Sequence, residues 1–328
     1  MRATAIAHPN VALVKYWGKQ DTRINLPATG SLSITLGGLH TRTTIEFDET
    51  LTADELLLDG APDQAAGPRV VRCLDELRAL AGVSCFARID TGNDFPTGAG
   101  LASSASGFAA LTVAGAAALG IDPGMQALVR IARLGSGSAP RSLFEGAVLL
   151  DIEAVPGDTV CSTVMAPEEW PLEVVVAVTS KERKAVSSTA GMEASRAAST
   201  CFKGWVDSHP QDLRECLDAL ANKDFGGLAQ VAEHSCLKMH ALAMSTQPPL
   251  LYWSAATVAC MQVVRQLRSD GVPVFFTIDA GPQLKAVCLP EAVAEVTTAL
   301  QALPGVIETL HCTLGRGAWI DDAEATKA

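Results

Sequence analysis

The segment Pro96-Thr-Gly-Ala-Gly-Leu-Ala-Ser-Ser-Ala-Ser106 joins glycines, which let a backbone curl, to serines that can open a helix. A strand-like run, Cys85–Thr91, precedes it, and the small apolar stretch Ser103–Leu119 follows as an expected helix buried on most of its surface. A helix N-terminus offers unpaired N–H groups and a partial positive charge. Pro96, Gly98, Ala99, Gly100, Leu101, Ala102, Ser103, Ser104 and Ser106 therefore form a candidate phosphate cradle. The serine hydroxyls, that of Ser104 in particular, add oxygens suited to a magnesium shell. The loop is neither a Walker A motif nor a dinucleotide fingerprint, because it has no Gly-Lys-Ser/Thr and no G-x-G-x-x-G. On local pattern alone, a buried helix with a glycine entry loop explains it equally well.

Other residues are placed for chemistry by type and context. Asp279 ends an apolar strand, Val274–Asp279, before Ala-Gly-Pro, and a carboxylate there can orient or deprotonate a hydroxyl or simply make a turn. Arg141, in Gly135-Ser-Gly-Ser-Ala-Pro-Arg-Ser, offers a planar fork for a carboxylate, and Ser136 and Ser138 on that loop can donate to anionic oxygens. Lys15, Tyr16 and Lys19 lie in the first strand and its exit, where two cations and a phenol can hold terminal phosphates. Packed aromatics with snorkelling lysines explain the same three residues structurally. Lys181-Glu-Arg-Lys184 reads as a solvated loop or a lid, and Ser188 taken alone as a helix N-cap.

The elements that must position these groups follow from periodicity. Ser31–Leu36, Thr41–Phe47, Gly146–Ile152 and Leu172–Val178 are expected strands, and Gly67–Ala81 and Met125–Leu134 are expected helices. After about residue 180 the texture becomes helical: Ser187–Ser208, Leu213–Ala221, Phe225–Met244 and Trp253–Asp270. Helix Glu291–Leu303 and a strand near Val306–Thr313 close the chain. This order predicts an α+β protein of two domains, 1–180 carrying the phosphate loop and 181–328 carrying Asp279.

Composition excludes several classes. A net charge of −11 argues against a nucleic-acid surface, yet cations focused in a cleft can bind a small phosphorylated ligand on an acidic protein. No apolar run reaches the ~18 residues of a membrane span, and no secretory h-region is visible at the N-terminus. Nine cysteines without a C-x-x-C pair indicate reduced thiols and a cytoplasmic location. His234, Cys236 and His240 supply too few ligands on one helix face for a tetrahedral zinc site.

The Pro-x-x-x-Gly-Leu-x-Ser-Ser-x-Ser pattern resembles the phosphate loop of the kinase superfamily that includes galactokinase, homoserine kinase and mevalonate kinase. Six further stretches resemble the mevalonate diphosphate decarboxylases within it. They are Asn10–Lys19, Leu26-Pro with Ser31-Leu-Ser-Ile-Thr-Leu, Gly135–Leu143, Val186–Met192, Met239-His with Gln247-Pro-Pro, and Phe276–Pro282, in family order over nearly the whole chain. The resemblance implies a ribosomal-protein-S5-like N-terminal domain, a ferredoxin-like C-terminal domain, and an active site in the cleft between them. It implies ATP and Mg2+, a homodimer, and phosphorylation of a tertiary 3-hydroxyl followed by loss of CO2 to give isopentenyl diphosphate. Asp279, Arg141 and Lys15 would be catalytic; Tyr16, Lys19, Ser136, Ser138 and Ser188 would hold substrate. The chain departs from the pattern at Thr29-Gly30, Pro140 and Glu145, and an added acid beside a phosphate pocket would favour a monophosphate over a diphosphate. Mevalonate 5-phosphate or another 3-hydroxy-acid phosphate, a plain kinase reaction, and a non-catalytic binding module are the competing readings.

Overall fold

The computed structural model describes residues 1–64, 66–96, 100–182 and 184–322. Strand Thr41–Asp48 shows how one sheet is built. Its alternate residues Thr41, Thr43, Ile45 and Phe47 are buried, and those between them are half-exposed. It lies in a six-stranded sheet ordered Trp319–Ile320, Arg2–Ala7, Thr41–Asp48, Phe86–Asn93, Glu55–Leu58 and Ala61–Pro62. Helices Gly67–Ala81 and Ser103–Ala118 cover it through a core that includes Leu74, Leu77, Ala109 and Ala110 with Ile45, Phe47 and Ile89. The first helix has the predicted bounds, but Val71 and Leu80 face solvent. The second is buried on most of its positions, as its all-round small apolar sequence requires.

The other large sheet has eight strands. Seven run in the order Val160–Met165, Ala147–Asp151, Ser31–Gly37, Glu308–Leu314, Glu173–Val178, Leu284–Cys288 and Val274–Ile278, and Asn10–Val14 pairs with Ser31–Gly37. Strand Glu173–Val178 is covered on both faces: Val174 and Val176 join one core, and Val175 and Ala177 join another. That is why it reads as a continuous apolar run. Thr313 and Leu314 pair with Gly37 and Leu36, so this sheet passes without a break between strands early and late in the chain.

One expectation is corrected and one strand was not foreseen. The helix predicted over Ser187–Ser208 is two helices, Ser188–Ala198 and Phe202–Ala221, separated where Ser199 turns extended. The second runs on through Pro210 into the segment predicted separately, because buried Trp205, His209, Cys216 and Leu220 share one packed face that outweighs the missing N–H. Strand Leu284–Cys288 escapes the sequence pattern because Lys285 interrupts its apolar run, yet all five residues are buried.

Candidate active site

The phosphate loop ends in a helix start made for an anion. Ala102, the residue before helix Ser103–Ala118, has φ 57°, ψ 30°, supplies no side-chain cap, and is followed by a first turn without an acid. Left-handed backbone at a non-glycine residue costs about 1 kcal/mol and marks a conformation imposed by its surroundings. The start of the helix, which Ala102 does not cap with its side chain, lies at a cavity of about 840 Å³ that Gly100, Ala102, Ser103 and Ser104 line. Gly100 has φ 91°, and a Cβ there would sit 3.0 Å from Gly281 Cα, so only glycine lets the two backbones approach. Gly98 and Ala99 lie outside the described residues. Pro96 does not line the cavity, Leu101 belongs to the core, and buried Ser106 bonds Thr41 Oγ1 at 2.6 Å.

Asp279 lines the same cavity. It follows strand Val274–Ile278, and its side chain is 25% exposed. Lys15, just beyond strand Asn10–Val14, places Nζ 2.6 Å from Asp279 Oδ1, and Lys285 places Nζ 3.5 Å from Oδ2. Burial would raise the carboxyl's pKa. The two ammonium groups, helped by Arg141, outweigh burial and hold it at about 2. A carboxylate that acidic is a weak base at neutral pH, suited to fixing a hydroxyl and favouring positive charge nearby rather than to early proton removal.

Arg141 sits in the short helical turn Ala139–Leu143 and is buried. Its Nη1 donates to Ser31 Oγ at 2.6 Å and its Nε to Asn10 Oδ1 at 3.3 Å, so the scaffold fixes the guanidinium plane. Asn10 in turn donates to the Ser138 carbonyl and to Ser142 Oγ. Burial lowers the guanidinium's pKa, which raises its appetite for an anionic partner. Tyr16 lies 6.0 Å from Arg141, and its hydroxyl has no hydrogen-bond partner among the described residues. Burial pushes that phenol's pKa up, so it stays a donor. Ser136 Oγ lies 3.2 Å from Ser104 Oγ and 3.1 Å from Ser138 Oγ, which joins the two serine loops across the cavity.

At the other end, Lys19 donates to Asn25 Oδ1 at 2.7 Å, and burial lowers its pKa. Ser188 is the first residue of helix Ser188–Ala198. The N-cap is Ser187, whose hydroxyl accepts from Ala190 N. That frees Ser188 Oγ to accept from Lys184 Nζ at 2.8 Å, and Lys184 also donates to the Ala280 carbonyl at 2.8 Å. Burial lowers the Lys184 pKa to about 8.

The structure thus brings Asp279, Arg141, Lys15, Tyr16, Lys19, Ser136, Ser138, Ser188 and the helix start around one cavity. Sequence reasoning missed Lys285, Lys184 as a cavity residue, and the amides of Asn10 and Asn25. A lysine inside an apolar strand was the available signal for Lys285. The departures from the family pattern lie elsewhere. Gly30 accepts from His209 Nε2 at 2.9 Å, and Leu213 Cδ1 would be 2.8 Å from a Cβ at position 30, so Gly30 fits close packing against helix Phe202–Ala221. Pro140 opens the buried turn that carries Arg141. Glu145 is exposed and off the cavity, which corrects the expectation of an added charge beside the phosphates. Cys236 and His240 both bond the Ile278 carbonyl as core groups. Among the described residues no cluster of three or more His, Cys, Asp or Glu could hold a metal. The cavity lining offers hydroxyls, that of Ser104 among them, of the kind that suits a magnesium ion carried on ligand phosphates. No helix among the described residues is long and apolar enough to cross a membrane.

Comparison with known proteins covers most of the chain. Residues 7–160 match the family described as the diphosphomevalonate decarboxylase-like N-terminal domain, and residues 174–316 match the mevalonate 5-diphosphate decarboxylase C-terminal domain. The chain is 34% identical over 320 residues to diphosphomevalonate decarboxylase of Ganoderma lucidum, covering 90% of this chain and 80% of the relative. It is 34% identical over 319 residues to the Homo sapiens protein of that name, covering 90% and 79%. Mevalonate diphosphate decarboxylase from Staphylococcus aureus superposes with a TM-score of 0.91 at 32% identity, covering 98% of both chains. A structure described as MDDEF in complex with MVAPP, AMPPCP and magnesium superposes with a TM-score of 0.91 at 34% identity, covering 98% of this chain and 99% of that one.

Proposed function

The chain belongs to the diphosphomevalonate decarboxylase family, and from that premise we propose that it converts mevalonate 5-diphosphate and ATP to isopentenyl diphosphate, ADP, phosphate and CO2. The γ-phosphoryl group passes to the 3-hydroxyl. The C–CO2 bond then breaks, its electron pair forms the new double bond, and the 3-phosphate leaves. One observation carries the reading: Asp279 and Arg141 line one cavity with the helix start at Ser103.

In this reading the unit 1–180 supplies the phosphate loop and the unit 181–328 supplies Asp279. Asp279 fixes the hydroxyl, and because phosphoryl transfer runs through a loose transition state, a weak base suffices. Lys15 holds Asp279 ionised. No described residue accepts from Arg141 Nη2, which is the donor directed to the substrate carboxylate until CO2 departs. Tyr16, Lys19, Ser136, Ser138 and Ser188 hold the substrate's phosphates, and the helix start with Ser103 and Ser104 holds those of ATP. Magnesium, when bound, neutralises charge building on the transferred phosphoryl group.

Support for a cytoplasmic enzyme comes from nine free cysteines among the described residues, eight of them not exposed. Homodimerisation is proposed on family resemblance, and light scattering tests it. The central experiment supplies enzyme, Mg2+ and ATP with mevalonate, its 5-phosphate or its 5-diphosphate, and measures ADP and CO2 separately. Matched ADP and CO2 with the diphosphate is expected. ADP without CO2 from all three would reduce the protein to a kinase.

A further inference from the structure

Lys285 lies in the middle of strand Leu284–Cys288, paired on one side with Val176 and on the other with Thr277. It is 1% exposed, in a strand whose other four residues are apolar or small and equally buried. A buried ammonium at a position where an aliphatic side chain would pack is costly unless it is paired and hydrogen-bonded. Its partners are specific. Nζ donates to the Gly100 carbonyl at 2.7 Å, lies 3.4 Å from the Gln283 carbonyl, and stands 3.5 Å from Asp279 Oδ2. Gly100 lies within the phosphate loop, and Gly281, whose Cα would sit 3.0 Å from a Cβ at position 100, belongs to the turn after Asp279. Two independent contacts therefore tie the phosphate loop to the aspartate turn, one between backbones and one through this ammonium.

We propose that Lys285 is a positioning residue that fixes Asp279 and the phosphate loop in one geometry, so that the carboxylate is aligned with the γ-phosphoryl group when ATP is bound. Lys15 takes Oδ1 and Lys285 faces Oδ2, so rotation of the carboxylate breaks at least one ion pair. Other groups around Asp279 do not replace it. Arg141 is fixed on Ser31 and Asn10, and Lys184 on Ser188 and Ala280. On helix Phe225–Met244, burial raises the Cys236 thiol to about 11 and lowers His240 to about 3, so both are neutral near pH 7. Lys15 and Lys285 are the cations within 4.0 Å of the carboxylate among the described residues.

The inference rests on the decarboxylase reading for the role of Asp279, and the test keeps the two apart. Lys285→Met removes charge and donor; Lys285→Gln keeps a donor for Gly100 and removes the charge. Misplacing the carboxylate by about an ångström is expected to lower kcat ~100-fold in Lys285→Met, with KM for the phosphorylated substrate nearly unchanged. Lys285→Gln should fall between it and the parent enzyme. Independently of turnover, the Asp279 carboxyl carbon, followed by 13C NMR, should titrate ~1 pH unit higher in both variants once one of its two cations is gone. An inactive parent enzyme would refute the decarboxylase reading and leave this titration to decide whether Lys285 positions the carboxylate. Unchanged kcat, an unmoved titration, or circular dichroism showing both variants unfolded would assign Lys285 to stability alone and overturn the proposal.

Discussion

Two parts of the cavity are built by different means. At the helix start, backbone N–H groups and the dipole of Ser103–Ala118 make the site, and the side chains nearby are small. Around Asp279, side-chain charges from distant segments do it: Lys15, Lys285, Arg141 and Lys184 gather about one carboxylate. The first kind of site cannot titrate and tolerates side-chain change. The second is desolvated, so its charges are mutually dependent and sensitive to pH and to single substitutions. In the proposed reaction, phosphate binding and chemistry fall to parts of the cavity with different fragility.

The largest test of that division is Asp279→Asn, which should lower kcat ~10³-fold while the ATP dissociation constant, by calorimetry, changes little. A collapse of ATP affinity would mean that the two sites are one. A smaller effect concerns Lys184, whose ammonium is present below about 8 and lost above it. Because the charged form binds anions and Lys184 sits on Ser188, KM for the phosphorylated substrate should rise ~10-fold between about pH 7 and about pH 9, and Lys184→Arg should flatten the rise. A steep rise that survives in Lys184→Arg would place the titrating group elsewhere. The smallest effect is expected of Ser104→Ala. Loss of one hydroxyl beside intact backbone donors should raise KM for ATP only ~3-fold in steady-state kinetics. A much larger loss would show that the helix start depends on side chains after all.

Much of the backbone-built site was legible in the chain. Gly100 and the serines from Ser103 announced a turn and helix start, and the all-round apolar run after it announced a buried helix, because both depend on local conformational preferences. Helix Phe225–Met244 has the bounds its periodicity predicts. Leu101 and Ser106, part of the expected cradle, instead face the core, since a loop's sequence does not say which way successive side chains point. The fusion of Phe202–Ala221 through Pro210 was illegible because packing overrode a local helix-breaking signal.

By itself the sequence determined the α+β order of elements, the phosphate loop, and, through its resemblances, the company of Asp279 and Arg141. These depend on residue types and short spacings, which a linear chain displays without its fold. Only the tertiary structure decided that Lys285 faces Asp279 and the Gly100 carbonyl. It also set Glu145 off the cavity and gave the capping role to Ser187 rather than Ser188. The reason is physical: a charge acquires its chemistry from partners a few ångströms away, and those partners are brought in by sheet pairing from positions far along the chain.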